Sequence, residues 1–251
     1  LLIDTLRADA LTAYAQSRIQ SPQMDRFSRD GLVFERCQAP SNWTKPSCAT
    51  VLTGLHPPTH RALTESAAMS SSVRMVSEMF QQGGFQTAAM IANGYMAAEF
   101  GFNRGWNLYR NYIREQLQTE AEHVFSDAAE WLEQNRDNRS FLYLQTIDPH
   151  VPYDPPEEDL RLYDANSYDG PVRPRSTGNL LEEFKRERVT LNGRDRNRLR
   201  ALYDGEVTYH DRFFGRFIDR LREQNLLDDT LIIVTSDHGE DFFEHSSVGQ
   251  G

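Results

Sequence analysis

Two carboxylates, an imidazole and a hydroxyl stand at the ends of regular elements, where side chains can converge. Asp237-His238-Gly239-Glu240 follows the apolar run Leu231-Ile232-Ile233-Val234-Thr235-Ser236. A carboxylate and an imidazole at a strand end can face one cation, and the glycine lets the backbone turn sharply there. The same residues also suit a strand-to-loop turn with a solvated acid and histidine. Asp4 ends a second apolar run, Leu1-Leu2-Ile3. A carboxylate in that place is costly to desolvate unless a metal or an arginine compensates it; a lone aspartate also serves as a turn or helix cap. Asp148 ends a third such run. Three acid-bearing strand ends weigh toward a cation. Oxygen ligands with one imidazole suit Ca²⁺, Mg²⁺ or Mn²⁺, and Zn²⁺ as well.

Thr44 lies in Trp43-Thr44-Lys45-Pro46-Ser47-Cys48, just before a helix start, with Pro46 at a favoured early position. A hydroxyl there meets the positive end of the helix dipole. Metal coordination and the dipole would both make it a better nucleophile. Alternatively, Thr44 or Ser47 is simply the helix cap. Asp148-Pro149-His150-Val151-Pro152-Tyr153 follows the run Phe141–Ile147, and its prolines give a rigid loop. His150 on such a loop can contact a substrate or protonate a leaving group, or it is a loop histidine without a role.

The elements that must position these groups alternate. Strands are expected at 1–4, 32–36, 85–92, 141–147 and 231–235. Helices are expected at 47–52, 73–82, 124–133 and 195–224, the last with Leu199, Leu202, Val207, Phe213, Phe217, Ile218 and Leu221 near one face. Strands separated by helices predict an α/β fold, a doubly wound, mostly parallel sheet covered on both faces. Ligands collect beyond the carboxyl ends of such strands, so Asp4, Asp148 to His150 and Asp237-His238 should meet at one sheet edge. The stretch 152–192, rich in Pro, Asp, Arg and Gly, reads as a long surface excursion shaping the mouth of a site. The whole chain, 1–251, reads as one catalytic domain.

The net charge of −10 argues against a nucleic-acid backbone as partner. An anionic substrate would need local positive charge, which a bound metal supplies most directly. Two cysteines, Cys37 and Cys48, indicate no disulfide framework. The chain opens inside an apolar run and stops after a motif-rich loop, so it reads as a fragment incomplete at both ends. Localisation is accordingly open, with a periplasmic or membrane-anchored protein compatible, and membrane association is undetermined.

Taken in order, the motifs resemble the sulfatase family of the alkaline-phosphatase superfamily. They run from Asp4-Thr5-Leu6-Arg7-Ala8-Asp9 and Ser21-Pro22-Gln23-Met24-Asp25 through Trp43-Thr44-Lys45-Pro46-Ser47 and Leu52-Thr53-Gly54-Leu55-His56-Pro57. Phe100-Gly101-Phe102-Asn103-Arg104-Gly105-Trp106, Asp148 to Tyr153, Tyr203-Asp204-Gly205-Glu206 and Thr235 to Glu240 complete the series. The resemblance implies metal ligands at Asp4, Asp237 and His238 and a metal-touching nucleophile at Thr44. It implies active-site histidines at His150 and, more loosely, His245. One divalent cation is expected, because one full ligand set is visible; a second is not excluded.

The departures shape the chemistry. Sulfatases carry a Cys or Ser that is oxidised to formylglycine; Thr44 stands there, and threonine is no substrate for that maturation. Cys48 takes the place of an arginine, Thr5 that of a second acid and Gln250 that of a downstream histidine. Asn93, in Ile91-Ala92-Asn93-Gly94, stands where the family has a Lys and His segment and can give a neutral hydrogen bond. Asn93 and Lys45 are candidate substrate contacts. An unmodified hydroxyl favours phosphorus: Thr44 would attack a small anionic ester, a phosphate in preference to a sulfate, with His150 or His245 assisting the leaving group. Sulfuric ester hydrolysis without formylglycine is the alternative. A catalytically inactive, metal-stabilised binding domain is a reading of another class.

Overall fold

Phe141 to Thr146 offers bulky apolar side chains to both faces of a strand, so it must be covered on both sides. The computed structural model describes residues 1–245 and 247–249. In chain order its main elements are β1 (Leu2–Ile3), α1 (Pro22–Arg29), α2 (Thr44–Thr53), α3 (Pro57–His60), α4 (Val76–Gln82), β2 (Gln86–Ile91), β3 (Leu108–Asn111), α5 (Ala121–Gln134) and β4 (Ser140–Thr146). These are followed by α6 (Glu157–Arg161), α7 (Thr177–Lys185), α8 (Gly193–Glu223), β5 (Thr235–Ser236), β6 (Asp241–Phe242) and β7 (Val248–Gly249). The chain divides into two compact units.

The first unit comprises Leu1–Asp4, Gln38–Ile147 and Arg216–His238. It holds a five-stranded sheet of order β3-β2-β4-β1-β5, parallel at every pairing. On one face Leu2, Ala89, Ile91 and Tyr143 join Cys48 and Leu52 of α2 in a buried cluster. Phe80 of α4 stacks on Phe141 of β4 at 4.1 Å between ring centroids. Residues of the alternate face, Ala88, Met90 and Leu144, are equally buried, and α5 packs on β4 and β2. The mostly parallel α/β sheet expected from the sequence is what forms. Helix α2 ends where Gly54 takes a left-handed conformation, φ 68°, its N–H donating to Thr50 O at 2.8 Å.

Several element boundaries differ from the expectation. The run 32–36 forms no strand; Leu32 is 92% exposed and Phe34 72%. Local β propensity becomes a strand only where a partner edge is supplied. In 231–235 only Thr235 enters a strand, while Leu231 and Ile233 stay exposed. Ile233 still accepts from the Leu1 amino group at 2.8 Å, so the segment runs beside the chain start without a full ladder. The helix expected over 73–82 begins at Val76, after Met75 in an extended conformation. Strand β3 was not expected, because Leu108-Tyr109-Arg110-Asn111 lacks an apolar run.

The second unit comprises Thr5–Cys37, Asp148–Gly215 and Gly239–Gly251. Here Tyr153 and Tyr203 are buried edge-to-face at 5.9 Å, and Phe27 of α1 meets Phe214 of α8 at 5.4 Å. The stretch 152–192 carries α6 and α7 and buries Tyr153, Leu160, Val172, Leu181 and Leu191. Strands β6 and β7 pair antiparallel. Asp204, fully buried, is held by Arg18 and by Arg200 at 3.0 Å.

Candidate active site

The short strand β1 delivers Asp4 to the carboxyl edge of the sheet. Leu2 and Ile3 pair with Gln145 and Thr146 on one side and with Thr235 and Ser236 on the other. The Asp4 N–H continues the ladder by donating to Thr146 O at 3.2 Å. The next residue along β5 is Asp237, so register alone brings the two acids side by side. One ligand atom from each of Asp4, Asp237 and His238 lies within 4.8 Å of the others, and all three residues are buried.

Hydrogen bonds fix this group. The His238 N–H donates to Asp237 Oδ1 at 2.9 Å, and Ser236 Oγ donates to His238 O at 2.6 Å. Asp4 Oδ2 accepts from Asn93 Nδ2 at 2.7 Å and from Gln145 Nε2 at 3.1 Å. Asn93 is itself locked, its Oδ1 accepting from the Tyr95 N–H at 2.8 Å and its carbonyl from Asn111 Nδ2 at 2.9 Å. Burial pushes the Asp4 carboxyl well above the usual carboxylate range. The Asp237 charge adds to this, while His238, Asn93 and Gln145 oppose it. Asp4 Oδ1 is buried and has no hydrogen-bond partner. A buried oxygen left so, beside a second carboxylate and an imidazole, fits a hard or borderline divalent ion.

Thr44 is the first residue of α2, and the cap is Trp43, in extended conformation with no side-chain bond. Its Oγ1 lies 3.4 Å from His238 Nε2 and 3.5 Å from Asn93 Nδ2. The Ser47 hydroxyl donates to Ser41 O at 3.1 Å. Neither hydroxyl therefore caps the helix. Lys45 turns the other way and is fully buried. Its ammonium donates to the carbonyls of Thr64 at 3.1 Å, Ala67 at 3.2 Å and Glu65, and sits over the Phe100 ring at 3.2 Å from the centroid. Desolvation lowers its pKa to about 8. Cys48, one turn along α2, is buried with Sγ 3.9 Å from Gln145 Oε1, which accepts from Tyr143 OH at 3.1 Å.

The first unit thus brings together Asp4, Thr44, Asn93, Asp237 and His238. His150 and His245 belong to the second unit. His150 is half-buried, its Nδ1 against Val151 O. His245 is exposed, with Nδ1 3.3 Å from Asp241 Oδ2. In the same unit Glu240 is buried; its carboxyl accepts from Tyr153 OH at 3.1 Å, and burial raises its pKa to about 7. Gln250 lies outside the described residues. Gln145 escaped the sequence reading; its one signal was an amide inside an otherwise apolar buried run.

A family model described as Sulfatase matches residues 1–251. The multifunctional alkaline phosphatase superfamily protein PehA of Trinickia caryophylli is 24% identical, the alignment covering 100% of this chain and 64% of that protein. An arylsulfatase of Clostridium perfringens is 21% identical with the same coverage. Among solved structures, the phosphonate monoester hydrolase of Agrobacterium radiobacter superposes with a TM-score of 0.80 at 19% identity, over 100% of this chain and 64% of that one. The chain therefore spans just under two thirds of the length of these proteins.

Proposed function

The chain belongs to the sulfatase family, and from that footing we propose that it cleaves a small anionic ester, phosphate in preference to sulfate, with Thr44 as nucleophile. One observation carries the reading: a fully formed hydroxyl, Thr44 Oγ1, stands within 3.4 Å of His238 in a buried group that also holds Asp4 and Asp237. Threonine cannot become formylglycine, whose hydrate releases sulfate readily; a sulfated threonine would be freed slowly, whereas phosphothreonine is open to in-line attack by water.

Asp4, Asp237 and His238, with the Thr44 hydroxyl, would hold one divalent cation. When bound it supplies positive charge for the oxygens of the ester and a lower pKa for the hydroxyl. The chain's own groups do the rest. The Asn93 amide, locked by Tyr95 and Asn111, faces both Thr44 Oγ1 and Asp4 and so orients the nucleophile. Thr44 opens α2, so the positive end of the helix dipole would favour negative charge building up beside its hydroxyl. Thr44 Oγ1 bonds to phosphorus as the bond to the leaving oxygen breaks. The hydroxyl proton is released and the alcohol departs protonated. Water then displaces Thr44, which regains its proton, and phosphate leaves.

The sulfate-ester reading is kept in view by the relative named arylsulfatase. Aryl phosphate mono- and diesters, an aryl phosphonate monoester and an aryl sulfate, assayed side by side, separate the two. Mass spectrometry of the peptide containing Thr44 after rapid quenching identifies the group it carries. Phosphate on Thr44 is the expected result. Faster turnover of the sulfate ester, or a label on another residue, would overturn the proposal.

A further inference from the structure

We propose that Gln145 is a positioning residue for the cation site at Asp4, held in the orientation that role requires by Tyr143 and Cys48; the inference rests on the metal-dependent reading above. Gln145 is fully buried inside β4. A buried amide must satisfy both its ends. Its Oε1 takes the hydrogen of Tyr143 OH at 3.1 Å and has Cys48 Sγ at 3.9 Å, while its Nε2 donates to Asp4 Oδ2 at 3.1 Å. With Asp4 ionised, as a bound cation requires, the reversed amide would set Oε1 against Asp4 Oδ2, acceptor against acceptor.

The consequence falls on Asp4. With Asn93 at 2.7 Å on the same oxygen, Oδ2 carries two neutral donors, and Oδ1 is the oxygen left for a cation. Neutral donors orient the carboxylate without cancelling its charge. A lysine or arginine in their place would neutralise Asp4 and repel the ion. Tyr143, Cys48 and Gln145 thus form a relay that ends on Asp4, the proposed ligand.

The test is calorimetric titration of the full-length protein with Mn²⁺ and with Ca²⁺. Gln145→Met is expected to weaken binding about 10- to 100-fold, the usual effect of losing a ligand's supporting partner. Tyr143→Phe, which leaves Gln145 in place, is expected to weaken it about fivefold, the worth of one ordinary hydrogen bond. In the double variant Tyr143→Phe should add nothing to Gln145→Met, whereas independent packing losses would add. Unfolding midpoints in chelator should not follow the affinities. Unchanged affinity in both single variants while Asp4→Ala loses binding overturns the role of Gln145 alone. A parent that binds neither ion, or an Asp4→Ala protein that binds normally, overturns the metal reading and this inference with it.

Discussion

At the residue scale, Thr44 and Asp211 make opposite use of a helix start. Thr44 leaves α2 uncapped and keeps its hydroxyl 3.4 Å from His238. Thr44→Ala is expected to lower kcat on an aryl phosphate by on the order of 10³-fold or more and to weaken cation binding less than Asp4→Ala does. Thr44→Ser should retain measurable turnover and become labelled in its place. Asp211 instead serves α1, accepting from the N–H groups of Met24 at 2.8 Å and Gln23 at 3.1 Å. Burial outweighs those bonds and raises its carboxyl from 3.8 to about 6. Between those values the folded form binds the proton more tightly than the unfolded chain. Its contribution to stability is therefore full below the lower value and lost as pH rises through the upper one. Urea unfolding from about pH 4 to about pH 7 should show a decline in the parent that is smaller in Asp211→Asn. Both acids of the proposed metal group were legible because each ends a run of apolar residues. Lys45 was not: sequence places its positive charge beside Thr44, yet the side chain's length lets it reach three carbonyls instead.

At the scale of elements, the first unit has a loop position that admits no side chain. Gly105, at φ 75°, would put a Cβ 2.3 Å from Glu78 N and 2.6 Å from Ser77 C, backbone atoms at the start of α4. Gly105→Ala is expected to cost on the order of 2–4 kcal/mol, because backbone cannot yield as a flexible side chain does. A chemical-denaturation midpoint checks it. Of the long elements, α5 and α8 were legible from helical periodicity and β4 from a continuous apolar run. The failures were short or paired: 32–36 has strand composition without a partner, and β3 has a partner without strand composition. In both, the deciding energy is tertiary and lies outside any local window.

At the scale of the molecule, the formal charge of −10 and a buried pair of carboxylates pull the same way. An ion that binds only the folded form stabilises it, by about 2.7 kcal/mol at a hundred times its dissociation constant. Chelator is therefore expected to lower the thermal midpoint, and excess Mn²⁺ or Ca²⁺ to restore it, in the parent and not in Asp237→Ala. An equal midpoint with and without chelator in the parent would contradict this. The α/β class was legible in the sequence, and so was the convergence of Asp4 with Asp237 and His238, two of the three strand ends expected to meet; Asp148 to His150 falls in the second unit.

Strand β1 is two residues long, with a neighbour on each side. Side chains alternate across a sheet, so a slip of one position would turn residue 4 toward the opposite layer and offer Ile3 or Thr5 in its stead. On the proposed metal reading, ion affinity is a gauge of correct threading: a preparation in which this strand has docked out of step is expected to be folded by most spectroscopic measures yet fail to take up the ion. The fraction of protein that takes up one equivalent would count the properly assembled molecules.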